Sequence, residues 1–222
     1  MEINNSNMLT FALKQTSAVQ LAKVATTYLG KNYDKNVVQR VTPIVTEMDN
    51  LRTRVVAISA AKSAEEASLE ILAIYHRHVV AMESRLPLGP KSVNIKLSWT
   101  DTLSRNKISE QSWALEKLCI MFNMAAVYSQ VGGQIPRNSP ENKKKAIQCF
   151  KSAAGCLDIV RNLSRELKGV QNIVDLRADA LQMRISICMA QAYLSFYETM
   201  DKQTTSKSIL ARVAITINRY YS

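Results

Sequence analysis

Apolar side chains return every three or four residues along most of the chain, and this period predicts a succession of helices. Val19, Leu21, Ala22, Ala25 and Leu29 start the first, with Ser17 placed to cap it and Gly30 to end it. Val41, Ile44, Val45, Met48, Leu51, Val55 and Ile58 mark a second over Val37–Ala60, with Pro43 near its first turn. Ser63 and Glu66 form a capping box for a third helix, which runs to about Ser84 before Leu86-Pro87-Leu88-Gly89-Pro90 ends it. A period of two appears once, at Val93–Trp99, and predicts a strand. Such a strand does not stand alone, so Met8–Leu13 and a short piece near Lys107–Ser109 are its expected partners.

Downstream the pattern is helical throughout. Ser112–Val131 is apolar nearly all round and should be buried on most sides, with Gly132-Gly133 as its stop. Glu141–Leu167 carries a core stripe of Ile147, Phe150, Ala154, Leu157 and Val160, with its lysines mostly off that stripe. Asp175–Met200 is again highly apolar, and Ser206–Tyr221 is the last helix. The starts are about thirty residues apart, and Ala146 with Phe150 is similar to the small-plus-aromatic pair of tetratricopeptide helices. The fold class this supports is mostly α: an α-solenoid of tetratricopeptide-like helical hairpins with a small antiparallel β-sheet.

Charge then narrows the partners. With 29 basic and 18 acidic side chains the formal charge is +11, a field that attracts acidic membranes, nucleic acid or acidic segments alike. The basic residues are spread over several helices and the aromatics sit mostly in core stripes, which argues against nucleic acid. The sharpest cluster is Lys143-Lys144-Lys145, either a membrane-facing electrostatic patch or a plain solvated face. Cys119, Cys149, Cys156 and Cys188 lie in apolar helical patterns without a C-x-x-C pair, as buried free thiols in a reducing compartment do. The first residues carry no signal peptide, and no uncharged run spans a bilayer, so a cytoplasmic protein is expected.

The motifs point to no catalytic chemistry. His76 and His78 are two apart on a helix and face different directions, which does not suit a metal pair. No nucleophile elbow, phosphate loop or dinucleotide fingerprint occurs. The sequence therefore predicts no enzyme, no cofactor, no metal and no small-molecule substrate.

Three segments together resemble the BRO domain of the Alix family. They are Phe11–Lys23, Leu97–Leu103 with its Trp99 and Asp101, and Leu115–Gln130 with its Glu116-Lys117, Cys119, Phe122-Asn123, Ala125-Ala126 and Ser129-Gln130 elements. Ala153-Ala154-Gly155 and Ala190-Gln191-Ala192 continue the likeness in order. The resemblance implies a single BRO-type domain over residues 1–222, matching the first half to two thirds of the family domain and so truncated at the C-terminus. It also implies a non-catalytic adaptor of endosomal sorting, cytoplasmic and peripheral at endosomes. Its partner would be the C-terminal amphipathic helix of an ESCRT-III charged multivesicular body protein, bound helix-in-groove. The family's groove residues fall on Phe196, Ile209 and Val213, with Arg212 as the basic neighbour. Val213 is smaller than the usual aliphatic residue there, and Thr199 stands where a basic residue is usual. The alternative is a basic scaffold that acts mainly by docking on acidic membrane surfaces.

Overall fold

In the computed structural model, which describes residues 8–167 and 169–222, the regular elements are seven α-helices and one antiparallel pair of strands. They are α1 (Leu21–Asn32), α2 (Lys35–Ala60), α3 (Ser68–Glu83), β1 (Leu97–Thr100), β2 (Lys107–Glu110), α4 (Trp113–Gln134), α5 (Pro140–Ser164), α6 (Ala178–Tyr197) and α7 (Lys207–Tyr221). These residues form two compact units. One consists of Leu13–Lys62 and Ala67–Asn123; the other takes in the residues up to Ala12, Ser63–Glu66 and Met124–Ser222.

In the first unit α2 begins at Asp34, whose side chain accepts from the Val37 N–H at 3.0 Å. Pro43 lies inside this helix and not near its first turn. Pro43 and Gln39, whose carbonyl loses its ladder partner, are both exposed, so water can serve in place of the missing donor. Buried positions at Val45, Met48, Leu51, Arg52, Val55 and Ser59 form one stripe. Ser17 does not cap α1, which starts four residues later, and Gly30 does not end it.

The sheet pairs Leu97 with Glu110, Ser98 with Ser109, Trp99 with Ile108 and Thr100 with Lys107. Val93 instead makes an isolated bridge to Leu88, so the strand foreseen over Val93–Trp99 forms only at its end. The foreseen N-terminal strand is absent too: Thr16 makes a single bridge to Trp99, and the Thr100 N–H donates to the Gln15 carbonyl at 2.8 Å. Upstream, helix side chains replace a neighbouring strand. Asn123 accepts from the Lys14 N–H at 2.8 Å and donates to its carbonyl at 2.9 Å, satisfying both backbone groups at once.

One ionic cluster lies in this unit's core. Arg52, Tyr75, Trp99 and Glu116 are all essentially without solvent exposure. Glu116 Oε1 accepts from Arg52 Nη1 and from the Tyr75 hydroxyl at 2.9 Å, while its Oε2 accepts from Trp99 Nε1 at 2.6 Å. Burial pushes the Arg52 guanidinium down, but Glu116 and Tyr75 beside it outweigh this and leave it above its ordinary value. Burial, with Glu116 adding to it, holds the Tyr75 hydroxyl well above the usual phenol range.

In the second unit α4 runs through Gly132-Gly133 and ends where Pro136 follows. Gly132 is required for another reason: a Cβ there would lie 3.0 Å from Cys149 Cβ and 3.3 Å from the Phe150 ring. Ser63 and Glu66 do not form a capping box. Ser63 Oγ accepts from Gln134 Nε2 at 2.9 Å and Glu66 pairs with Lys145, leaving α3 to begin at Ser68 without a side-chain cap. Ser139 caps α5 by accepting from the Asn142 N–H, with Pro140 in the first position. α6 starts later than its apolar pattern suggests because Val170–Asn172 and Val174–Leu176 wind as 3-10 turns. Met8, Ala146, Phe150 and Ala192 form a buried cluster, with Ile135, Ile147 and Leu194 packed against it. The N-terminal segment is again held by amides: Gln191 bonds both backbone groups of Leu9, at 2.5 and 3.0 Å.

Candidate functional site

The second unit presents an open apolar cleft between α5 and α6, and α7 packs on α6. Arg161 of α5 donates to Gln182 of α6 at one end, and Ile147 meets Ala192 and Phe196 at the other, so the two helices run antiparallel. Met189, Ala192, Tyr193 and Phe196 recur at three- and four-residue spacing and therefore share one face of α6. Ile147 and Lys151 are one turn apart on α5 and face them. Together these six side chains line a cleft of about 210 Å³. That is smaller than the roughly 300 Å³ at which small-molecule sites begin and suits a single side chain better than a ligand of that size.

α7 is amphipathic, and none of its residues is fully buried. Leu210, Val213, Ile217 and Tyr220 are half-buried at three- and four-residue spacing, the stripe by which α7 lies on α6. Tyr220 stacks on Tyr193, with ring centroids 5.7 Å apart and planes 22° apart, joining the α7 stripe to the wall of the cleft. Beside the stripe, Ile209 is 47% exposed and Arg212 is exposed, and Phe196 on α6 is 42% exposed. Of the four residues singled out by resemblance, Phe196 lines the cleft, Val213 faces α6, and Ile209 and Arg212 turn to solvent.

The end of α6 is held from the α4–α5 turn and from the first turn of α5. Lys143 Nζ donates to the Glu198 carbonyl at 2.8 Å, and Arg137 Nε lies 2.9 Å from a Glu198 carboxylate oxygen. A cation at a helix C-terminus satisfies a free carbonyl and complements the helix dipole. Thr199, at the position where the resemblance leads one to expect a basic residue, donates its hydroxyl to the Phe196 carbonyl at 2.6 Å. In the turn that follows, Asp201 accepts from the Gln203 N–H and the Thr204 hydroxyl, which holds its carboxyl below its ordinary value.

The lysine triplet is divided by the fold. Lys143 points to Glu198, Lys145 pairs with Glu66 at 2.6 Å, and Lys144 is exposed with no ion-pair partner among the described residues. The four cysteines are free thiols. Burial pushes Cys156 up to about 11 and Cys188 to about 12, so neither is a thiolate at neutral pH. Among the described residues no three His, Cys, Asp or Glu side chains are grouped to hold a metal, and no helix is long and apolar enough to cross a membrane. The cleft itself, with Lys151, Met189 and Tyr193, is not visible in the sequence. α6 is apolar nearly all round, so periodicity could not separate its core face from its open one.

A model of the BRO1-like domain matches residues 8–222. ALG-2 interacting protein X of Dictyostelium discoideum is 27% identical over 214 residues, a match covering 96% of this chain and 27% of that one. Vacuolar-sorting protein BRO1 of Arabidopsis thaliana is 25% identical over 221 residues, covering 96% of this chain and 26% of its own length. A solved complex of ALIX BRO1 with CHMP4C superposes with a TM-score of 0.81 at 23% identity, over 96% of this chain and 62% of that one. The chain thus spans about a quarter of these two curated relatives and less than two thirds of the solved domain. The mostly helical fold with a small antiparallel sheet agrees with that neighbour.

Proposed function

Because this chain belongs to the BRO1-like domain family, we propose that it is a non-catalytic adaptor of endosomal sorting. On this reading it docks the C-terminal amphipathic helix of an ESCRT-III charged multivesicular body protein. The observation that carries the reading is the presentation to solvent of two large apolar side chains on adjacent helices, Phe196 in the wall of an open cleft on α6 and Ile209 on α7. Large exposed apolar groups on neighbouring helices mark contact surfaces, and a few such anchors supply most of the energy of a helix in a groove. The neighbouring ALIX BRO1 domain solved with CHMP4C supplies the choice of partner. Val213, half-buried on α7, forms the base beside Ile209, and Arg212 supplies a cation at the rim.

Titration of a labelled CHMP4C C-terminal helix against wild type and Ile209→Asp tests this. Loss of a central anchor costs about 2 kcal/mol or more, which is roughly thirtyfold in affinity. Equal binding of the two proteins removes Ile209 from the site.

A second reading, docking on acidic membranes, draws on the charge of +11. Lys143 and Lys145 have partners within the protein, so this reading rests on dispersed charge rather than on the triplet. Sedimentation with anionic liposomes at low and high salt tests it, since electrostatic adsorption falls as the Debye length shortens.

A further inference from the structure

We propose that Ser139 is a phosphorylation site for a proline-directed serine/threonine kinase, and that its phosphate releases the end of α6. The inference goes beyond the helix-docking reading and does not depend on it.

Of the five prolines in the chain, two follow a hydroxyl side chain, at Thr42-Pro43 and Ser139-Pro140. A kinase that selects proline after its acceptor must take the segment as accessible, extended chain, and only one of the two offers that. Thr42 lies within α2, and its hydroxyl donates to the Val38 carbonyl at 2.7 Å. Ser139 stands in the turn before α5 with extended backbone (φ −128°, ψ 157°), the conformation a following proline favours. It is half-buried, and both its neighbours, Asn138 and Pro140, are exposed. Its Oγ accepts from the Asn142 N–H at 3.2 Å, a role that a phosphate oxygen can take over. In the transfer, Ser139 Oγ bonds to the γ-phosphorus of ATP and the bond from that phosphorus to the ADP oxygen breaks. The hydroxyl proton passes to the catalytic base of the kinase.

The cations nearest this serine along the chain are the two that hold α6. Arg137 comes two residues before it, and Lys143 follows four residues later, on the same side of the first turn of α5. Lys143 Nζ donates to the Glu198 carbonyl at 2.8 Å, and Arg137 Nε lies 2.9 Å from the Glu198 carboxylate. A phosphoserine brings a charge of about −2 and three strong acceptor oxygens. Against it stand one neutral carbonyl and one singly charged carboxylate, so both cations find the stronger partner at Ser139. Helix α6 then loses its ties at the turn where the Glu198 N–H donates to the Leu194 carbonyl and the Thr199 N–H to that of Phe196.

The test incubates the full chain with a proline-directed kinase and magnesium ATP, as wild type, Ser139→Ala and Lys143→Met. Peptide mass spectrometry should place a phosphate on Ser139 of wild type and of Lys143→Met, with none on Thr42 and none on the Ser139→Ala protein. In phosphorylated wild type the Glu198 and Thr199 amides should exchange about fivefold faster than in the unmodified protein, as loss of one hydrogen bond from a charged donor predicts. Phosphatase treatment should restore the slower exchange without any change of sequence. In Lys143→Met the same amides should already exchange fast and gain less from the phosphate. Absence of phosphate on Ser139 of the folded wild type overturns the site. Phosphate on Ser139 with unchanged exchange at Glu198 and Thr199 overturns the release of α6. Faster exchange spread evenly over α5 and α6 marks a general loss of stability and overturns it too.

Discussion

Lys143 reaches from the start of α5 to the end of α6, where its Nζ donates to the main-chain carbonyl of Glu198 at 2.8 Å. That contact fixes the helix end two residues beyond Phe196, and it separates Lys143 in function from Lys144, its exposed neighbour in sequence.

Lys143→Met should therefore destabilise the protein while Lys144→Met should not. A lost hydrogen bond from a partly buried charge costs about 1 kcal/mol. In a chain of this size that lowers the thermal midpoint by about 2–4 °C. Melting curves of the two variants side by side check this, and equal midpoints would contradict the role given to Lys143.

Glu116→Leu should be among the most damaging single changes in the chain. It would leave the Arg52 guanidinium buried without its counter-charge and strip Tyr75 and Trp99 of their acceptor. Breaking a buried ion pair in this way costs about 3–5 kcal/mol. Urea unfolding measures it as a lowered midpoint.

Two glycines of the second unit should respond in opposite directions. Ala at Gly132 meets Cys149 and Phe150 at 3.0 and 3.3 Å, and overpacking of this kind costs about 1–3 kcal/mol. Gly155 is in the interior of α5 with nothing within 4 Å of a built Cβ, so Gly155→Ala should stabilise by up to about 1 kcal/mol through helix propensity. Thermal denaturation of both variants decides the matter.

His76 should give stability a pH dependence near neutrality. Burial, with the Lys117 ammonium nearby, lowers its pKa in the folded protein, while the unfolded chain titrates near about 6.5. Above that value both states are neutral and the contribution is whole. As pH falls below it the unfolded chain takes up the proton first, so stability declines until the folded pKa is passed. The difference in unfolding free energy between wild type and His76→Gln, followed from pH 7.5 down through this window, should shrink as the wild type loses its advantage.

Much of the helical order was legible because Val45, Met48, Leu51 and Val55 keep one face for a whole helix, and packing enforces that face. What escaped the sequence were choices made between distant residues. Arg52 sits on that same buried stripe, and only Glu116, far along the chain, makes a charge tolerable there. Met8–Leu13 reads as a strand, yet Gln191 supplies a side-chain amide to Leu9, and Asn123 one to Lys14 just beyond, where a neighbouring strand would have supplied backbone. Gly132-Gly133 reads as a stop, but the close approach of Phe150 needs a helix that continues through it. At the site, Phe196 and Ile209 came from family likeness. The cleft that Phe196 lines did not, because Met189 and Tyr193 lie in a helix apolar nearly all round.

The central claim, that the face bearing Phe196, Ile209, Arg212 and Val213 receives a partner helix, is tested most directly by amide hydrogen exchange with and without the CHMP4C C-terminal helix. Added protection should fall in the second half of α6 and in α7, and Phe196→Asp should remove it. Protection confined to other helices, or none at a peptide concentration that saturates binding, would contradict the account.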